Sequence, residues 1–309
     1  MIVIENIDKL DNSLKETCIA IGNFDGIHQG HKSLIEETIV VSKKKNLVPT
    51  ILTFNPMPEE HFNSNEFFRL MDMSDKYQAL ESFGIEQVIT IPFDKKFSEI
   101  TKDLFIENIL INKLMAKHLV VGRDFKFGNK RLGDVNLLKL YRDKGLFDLS
   151  ILDLVTVSDE KISSRDIRKL INKGNIRDAN KLMAAPFSLS GKVIHGEKRG
   201  RELGYPTANI EIYNSYPING IFLVSILFED KTFYGLASWG NKPTFSGEDH
   251  VLEVNIFDFE SDIYGRYLKI IFIDKIRDQI KFNDKNELIE QMHEDKKLAK
   301  DLLGKSNEL

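Results

Sequence analysis

The sequence predicts an α/β domain built on a doubly wound parallel sheet, followed by a smaller antiparallel β-domain, barrel or sandwich, that ends in a helix. Three observations lead there. The first half alternates apolar strand-like runs with amphipathic helical ones, the rhythm of parallel strands joined by crossover helices. After Pro186 the texture changes to short β-rich runs separated by turn residues. The last stretch, about Lys285 to Leu303, has helical periodicity.

In the first half the strand candidates are Thr17–Gly22, Val48–Phe54, Gln87–Ile91, His118–Gly122 and Leu149–Val155. The helical candidates between and after them are His31–Lys45, Ser74–Phe83, Lys102–Met115 and Val135–Asp143. Two short helical patterns close the block, Ser163–Lys173 before Gly174 and Ile176–Met183 before Pro186, where glycine and proline terminate helices. The second half offers Phe187–Ile194, Ile221–Phe228, Thr232–Ser238, Leu252–Phe257 and Tyr267–Ile273. The boundary falls near Ala184–Phe187, giving domains 1–185 and 186–309. No repeat or low-complexity tract is visible.

A chain of 309 residues accommodates two cores. Apolar residues make up 42% and charged residues 29%, values of ordinary globular proteins. The net charge of -4 and pI near 6.0 give no reason to expect a nucleic-acid partner, so an anionic ligand must meet local positive groups. The single cysteine, Cys18, lies in an apolar run and cannot form an intrachain disulfide. With no signal-peptide pattern and no apolar run of the ~20 residues a membrane span needs, a cytoplasmic location is expected.

The first chemical signal is Ile19 to His31. It leaves a strand and opens a helix, the place where doubly wound sheets bind ligands. Gly22, Gly26 and Gly30 allow close backbone approach to a phosphate, and the helix start presents free N–H groups to it. His28 and His31, three apart, share a face and are suited to donate to a phosphate under attack. Phe24 and Asp25 complete the turn. Two His, three Gly and one Asp in one turn outweigh the bland reading of surface histidines. The run Gly22-x-Phe24-Asp25-Gly26-x-His28-x-Gly30-His31 resembles the HxGH signature of the nucleotidylyltransferases, in the form of the flavin adenylyltransferase branch.

Further runs are similar to that branch. Thr53-Phe54-Asn55-Pro56-Met57-Pro58 resembles its strand-end loop with two prolines. Val121 to Gly128, with Asp124 and Phe125, continues to Arg131, Gly133 and Asp134 like its flavin- and nucleotide-side loop. Ile162-Ser163-Ser164-x-x-Ile167-Arg168 resembles its phosphate-binding helix start. By itself Ser163 reads equally well as a plain helix N-cap, while Arg168 has the fork that grips phosphate. The resemblance implies flavin contacts at Asn55, Pro56, Pro58, Asp124 and Phe125. It implies phosphate contacts at Lys161, Ser163, Ser164 and Arg168. Two positions depart from the pattern: Arg165 stands where the family has Thr or Ser, and Lys161 where it often has Arg.

The second signal runs from Gly191 to Asn209. It is rich in glycine and cations and ends in Thr207 and Asn209, which an extended chain points to one side. Their hydroxyl and carboxamide oxygens are hard donors that suit Mg²⁺ on nucleotide phosphates. The segment resembles the riboflavin kinase signature, and matches follow in order at Asn219-Gly220-Ile221-Phe222, Trp239 to Phe245, Leu252-Glu253-Val254-Asn255, Asp262 to Arg266, and Arg277 to Phe282. By resemblance Glu253 is the catalytic base, Gly196 and Arg201 belong to the loop over ATP, and Arg277 is on the flavin side. Taken alone, Glu253 reads as an exposed strand residue. His195, beside the glycine loop, is read as structural. The terminal Gly304-Lys305-Ser306 is no P-loop, because Ala299 stands where the first glycine belongs and the chain has no helix to follow it.

The paired resemblances, which cover nearly the whole chain, imply a bifunctional enzyme of flavin cofactor synthesis. One half phosphorylates riboflavin with ATP, yielding FMN and ADP. The other adenylylates FMN, yielding FAD and pyrophosphate, with Mg²⁺ serving both. Three other readings compete with it: a riboflavin kinase with an adenylyltransferase half impaired at Arg165 and Lys161, a non-catalytic flavin-binding regulator, and an adenylyltransferase for another small phosphate fused to an unrelated β-domain, against which the Pro206-Thr207-Ala208-Asn209 run argues.

Overall fold

The computed structural model describes residues 1–7, 15–62, 67–153, 156–157, 160–161, 163–196, 204–212, 216–240 and 251–306. Contacts divide the chain into two compact units: Met1–Arg69 with Met73–Ser164, and Leu70–Asp72 with Arg165–Leu309. This division and the boundary at 185/186 follow different criteria, one the packing and the other the change of sequence texture.

The first unit begins with β1 (Ile2–Ile4), β2 (Thr17–Ile21), α1 (Gln29–Lys45), β3 (Val48–Phe54), α2 (Pro58–Phe62), α3 (Met73–Phe83) and β4 (Gln87–Ile91). It continues with α4 (Lys95–Ser98), α5 (Lys102–Leu104), a π-helical stretch over Phe105–Lys113, β5 (Ala116–Gly122), β6 (Lys126–Phe127), β7 (Gly133–Asp134), α6 (Val135–Asp143) and β8 (Asp148–Leu152). The short strands β9 (Thr156–Val157) and β10 (Glu160–Lys161) come last. Six strands form one parallel sheet in the order β1-β4-β3-β2-β5-β8. Both β2 and β4 are buried at every residue. That is why their sequences are continuous apolar runs and not alternating ones: helices cover both faces of such a sheet. The order reverses beside β2, with β3 on one side and β5 on the other, so a crevice opens outside the carboxyl ends of these strands.

The segment read as one helix over Lys102–Met115 is α5 followed by the π-helical stretch. The backbone N–H of Leu114 donates to Ile109 O at 2.9 Å, a five-residue step. Helix α1 stops where Asn46 turns left-handed (φ 55°), after three lysines that favour the negative end of the helix. Cys18 is fully buried, and burial pushes its thiol up to about 12. That leaves it inert at neutral pH.

The second unit opens with α7 (Ser164–Asn172, which starts at the last residue of the first unit) and α8 (Ile176–Leu182). The strands β11 (Ser188–Ile194), β12 (Ala208–Glu211), β13 (Gly220–Phe228), β14 (Lys231–Trp239), β15 (Val251–Ile256) and β16 (Tyr267–Arg277) follow, and α9 (Lys285–Ser306) ends it. The six strands close into an antiparallel barrel in the order β11-β12-β15-β14-β13-β16, so the barrel is the architecture and not the sandwich. Its inside is filled by alternate residues: Phe222, Val224 and Ile226 of β13, Leu252 and Val254 of β15, and Leu268, Ile270 and Phe272 of β16. Asn180 of α8 donates to Phe272 O at 2.8 Å and accepts from Phe187 N at 2.8 Å, which explains why α8 clusters with the barrel. Outside the barrel, Ala299 of α9 packs with Leu223 and Phe257, flanked by Leu236, Ile273, Leu302 and Leu303. Arg277 and Asp295 pair at 2.7 Å across this junction.

Candidate active sites

The turn after β2 is held open by unusual backbone conformations. Phe24 (φ 50°), Gly26 (φ 81°) and Ile27 (φ 40°) all lie in the left-handed region. Glycine accepts that conformation freely; Phe and especially β-branched Ile do not. Their cost is met by burial, since both side chains are fully buried, and by three hydrogen bonds. Gly22 N donates to Leu52 O at 3.1 Å, and Thr53 Oγ1 donates to Asn23 O at 3.1 Å. Ser164 Oγ, at the last residue of the first unit, donates to Asp25 O at 2.9 Å.

Beyond the turn, His28 occupies the N-cap position of α1 without a capping bond from its side chain, and His31 follows in the first turn. The two rings stack with centroids 3.8 Å apart and 20° between planes, and Phe24 backs His31 at 5.1 Å. His31 Nδ1 is buried with no hydrogen-bond partner among the described residues. Burial first, then the neighbouring His28 and Lys76, hold the His31 imidazole well below its ordinary pKa. A neutral ring donates through one nitrogen only, and two neutral rings tolerate a stacked contact that two imidazolium ions would not. His31 therefore offers an N–H donor without resident charge, stacked on His28 beside a helix start and at the carboxyl edge of the sheet.

Two further loops leave the same edge. After β3, the Asn55–Pro56 peptide is cis and Pro58 starts α2, a position where a missing N–H costs nothing. Asn55 is exposed, and its Oδ1 accepts from Arg69 Nη2 at 2.7 Å, while Arg69 also grips Glu60 at 2.8 Å. After β5, Phe125 N closes a turn onto Gly122 O at 3.0 Å. The Phe125 ring stacks on Phe127 at 5.4 Å, and Asp124 is exposed. Ser163 is half-buried. Arg168 is half-buried on α7, four residues beyond Ser164, and Arg165 is exposed. Lys161 pairs with Thr156 in the β9–β10 ladder; its side chain lies outside the described residues.

In the barrel the predicted kinase residues fall on one ring of the hydrogen-bond register. Ile194 pairs with Asn209, Asn209 with Glu253, Glu253 with Ser238, Ser238 with Ile221, and Ile221 with Arg277. Directly paired residues share a face with Cβ atoms about 5 Å apart. Asn209, Ser238 and Glu253 thus stand side by side on the outer face, with Ala208, Ala237 and Val254 facing inward. Gly196 meets this group closely: a Cβ there would sit 1.5 Å from Asn209 Nδ2. Thr207 lines a cavity of about 380 Å³ together with Pro206, Asp262 and Tyr264. Arg201 and residues 197–203, like residues 241–250, lie outside the described residues.

Arg277 is committed within the protein. Its Nε and Nη2 bind Asp295 and its Nη1 donates to Asp278 O at 2.9 Å. Sequence reasoning did not single out Lys76, Arg69, Ser238 or Gln279. Gln279 Nε2 donates to Ser238 Oγ at 3.0 Å, next to Glu253. A lysine at a core-facing position of a short amphipathic helix was the one signal that could have exposed Lys76.

Comparison with known proteins places these features in context. Residues 10–166 match the FAD synthetase family, and residues 183–303 match the riboflavin kinase family. The bifunctional riboflavin kinase/FMN adenylyltransferase of Buchnera aphidicola subsp. Schizaphis graminum is 39% identical over 303 residues, covering 96% of each chain. Its counterpart from Escherichia coli K12 is 33% identical over 308 residues, covering 98% of each. A crystal structure of a macrolide-efflux protein from Streptococcus pneumoniae aligns with TM-score 0.85 and 32% identity, over 97% of this chain and 98% of that one. Among the described residues of this chain, no helix is long and apolar enough to cross a membrane.

Proposed function

The chain belongs to the family of bifunctional riboflavin kinase/FMN adenylyltransferases, and from that premise we propose how its residues divide the two reactions. Adenylyl transfer is the work of residues 1–185. A phosphate oxygen of FMN attacks the α-phosphorus of ATP, the bond to the β-phosphate oxygen breaks, and FAD and pyrophosphate result. His28 and His31 donate to the α-phosphate oxygens as charge builds on them. Gly22, Phe24, Asp25, Gly26 and Gly30 shape the cradle, and Lys161, Ser163, Ser164 and Arg168 hold the phosphates. Asn55, Pro56, Pro58, Asp124 and Phe125 face the flavin, with Arg69 fixing the Asn55 amide.

Phosphoryl transfer belongs to residues 186–309. Glu253 takes the proton of the ribityl 5′-hydroxyl as that oxygen attacks the γ-phosphorus, and ADP leaves. Thr207 and Asn209 would hold Mg²⁺. They fit it because both carry hard oxygen donors, the kind this ion prefers. When bound, the ion neutralises charge on the transferring phosphate. Gly196 leaves room for the Asn209 amide, and Arg201 belongs to the covering loop. Arg277 stands on the flavin side, its guanidinium held by Asp295 and Asp278 O. A cytoplasmic setting suits a chain whose one thiol is buried and inert.

One observation carries the reading: the cross-strand pairing of Asn209 with Glu253, which sets a candidate metal donor directly beside a candidate base. The test is to incubate the chain with riboflavin, ATP and Mg²⁺ and follow the flavins by chromatography. FMN should appear and then convert to FAD. Glu253→Gln should abolish FMN formation from riboflavin yet leave FMN-to-FAD conversion near native, and His28→Ala should do the reverse. FMN accumulating without FAD would instead indict Arg165 and Lys161, and Glu253→Gln with native kinase activity would remove the proposed base.

A further inference from the structure

Lys76 lies in the first turns of α3 and is fully buried. Lysine is almost never buried this deeply unless it is paired. Its Nζ donates to Asn23 O at 2.8 Å, the same carbonyl that accepts from Thr53 Oγ1. The charged groups facing it come from three places: Asp25 on the turn after β2, His31 on α1, and Glu60 with Arg69 on and after α2. Asp25 and Glu60 attract the ammonium, while Arg69 and a protonated His31 would repel it. Burial is the largest influence and lowers the ammonium to about 8, so it stays charged at neutral pH and loses that charge in mildly alkaline solution. An aliphatic side chain of similar length would fill the same space without this penalty.

We propose that Lys76 is a positioning residue for adenylyl transfer: its ammonium holds the Asn23 carbonyl, attracts the Asp25 carboxylate and so fixes the turn on which His28 and His31 stand. The inference rests on the reading that this histidine pair handles ATP. Its physical content is specific. Asn23 is followed by Phe24 and Ile27, both strained in the left-handed region, and by the left-handed Gly26 between them. A turn with three left-handed residues keeps its shape only while its surroundings impose it. Lys76 supplies such a constraint from outside the turn, and as a cation it also disfavours protonation of His31. Touching no substrate, it acts through the turn.

The bifunctional chain carries its own control. Lys76→Met and Lys76→Arg should be assayed for FMN-to-FAD conversion and, in the same preparations, for riboflavin phosphorylation. Lys76→Met should lower kcat for FAD formation about 100-fold, the loss expected of an approximately 1 Å misplacement of reacting groups, while riboflavin phosphorylation stays near native. In the native chain, FAD formation should fall as pH rises through about 8. Lys76→Arg, whose charge persists, should move that alkaline limb upward even if its rate is lower. Histidine-ring NMR should show the His31 pKa rising in Lys76→Met. The inference is overturned if Lys76→Met forms FAD at the native rate, if both activities fall together, or if the alkaline limb is unchanged in Lys76→Arg. A native chain that forms FMN but no FAD would remove the underlying reading, a result distinct from any of these.

Discussion

Replacing Asp295 with Asn asks whether the terminal helix is held to the barrel by charge. Arg277 Nε lies 2.9 and 3.0 Å from the two Asp295 oxygens, and Nη2 lies 2.7 Å from one of them. The two side chains are only 16% and 4% exposed. Asparagine keeps the volume and one acceptor but removes the negative charge and turns an N–H₂ toward the guanidinium. Breaking a buried pair by removing one partner costs about 3–5 kcal/mol. Arg277 keeps its bond to Asp278 O and some solvent, and Gln291 keeps an acceptor, so the lower figure of about 3 kcal/mol applies. At a urea m value of about 2 kcal/mol/M, the midpoint should fall by about 1.5 M. Trp239 is the only tryptophan and is 2% exposed in the barrel, so its fluorescence follows this unit separately from the other, which a two-unit chain requires. A midpoint within about 0.3 M of native, with m unchanged, would refute the reasoning. It would leave Arg277 available as the flavin contact that its place in the sequence pattern implies.

Two further outcomes follow from the geometry. Gly196→Ala must displace the Asn209 amide, whose Nδ2 would be 1.5 Å from the new Cβ. Riboflavin phosphorylation should drop by about 10- to 100-fold, with FMN-to-FAD conversion unchanged; equal loss of both activities would show a general folding defect instead. The first unit should also be acid-sensitive. His31 and His118 are both held below their ordinary pKa by burial first, so below about pH 6.5 the unfolded chain binds protons that the folded one does not, and stability falls with pH. Each group contributes up to about 1.4 kcal/mol per pH unit in that window. Thermal inactivation of FAD formation between pH 7 and 5 should show it, and His118→Gln should flatten the slope; an identical slope would exclude His118.

Much of this was legible in the sequence because periodicity reports burial. β3, β4 and α6 span the residues that their apolar patterns marked, and the glycine-rich turn after β2 was found from its glycines and paired histidines. What escaped has physical reasons. β1 is a three-residue edge strand with Ile2 and Val3 exposed, so no core pattern betrays it. β12 is four residues long and follows a stretch of sequence whose glycines and cations dominate the local signal. The π-helical stretch keeps apolar spacing close to that of an α-helix, with Phe105, Ile106, Ile109 and Leu110 buried, so the pattern does not distinguish the two. In the sites, residues within a motif could be named, whereas Lys76, Arg69 and Gln279 act from other segments. Their importance arises from contacts of 53, 14 and 41 residues' separation, which no local window contains. Arg277 shows the reverse: its motif was visible, but the partner that occupies it, Asp295, was not.

The ring that carries Asn209, Glu253 and Ser238 also ties the fate of the chemistry to the fate of the fold. In a barrel strand, neighbours along the chain point to opposite faces. Slide β15 by one position and Glu253 enters the apolar interior while Leu252 or Val254 emerges into water. That carboxylate would then be buried without a partner, a far larger penalty than the loss of a few contacts. A misaligned barrel is therefore not a long-lived inactive twin of the native one but a species that falls apart. Single-residue insertions or deletions inside β12, β14 or β15 should yield insoluble or degraded chains and not folded, silent ones. Lengthening the connections outside those strands should spare solubility and alter turnover alone.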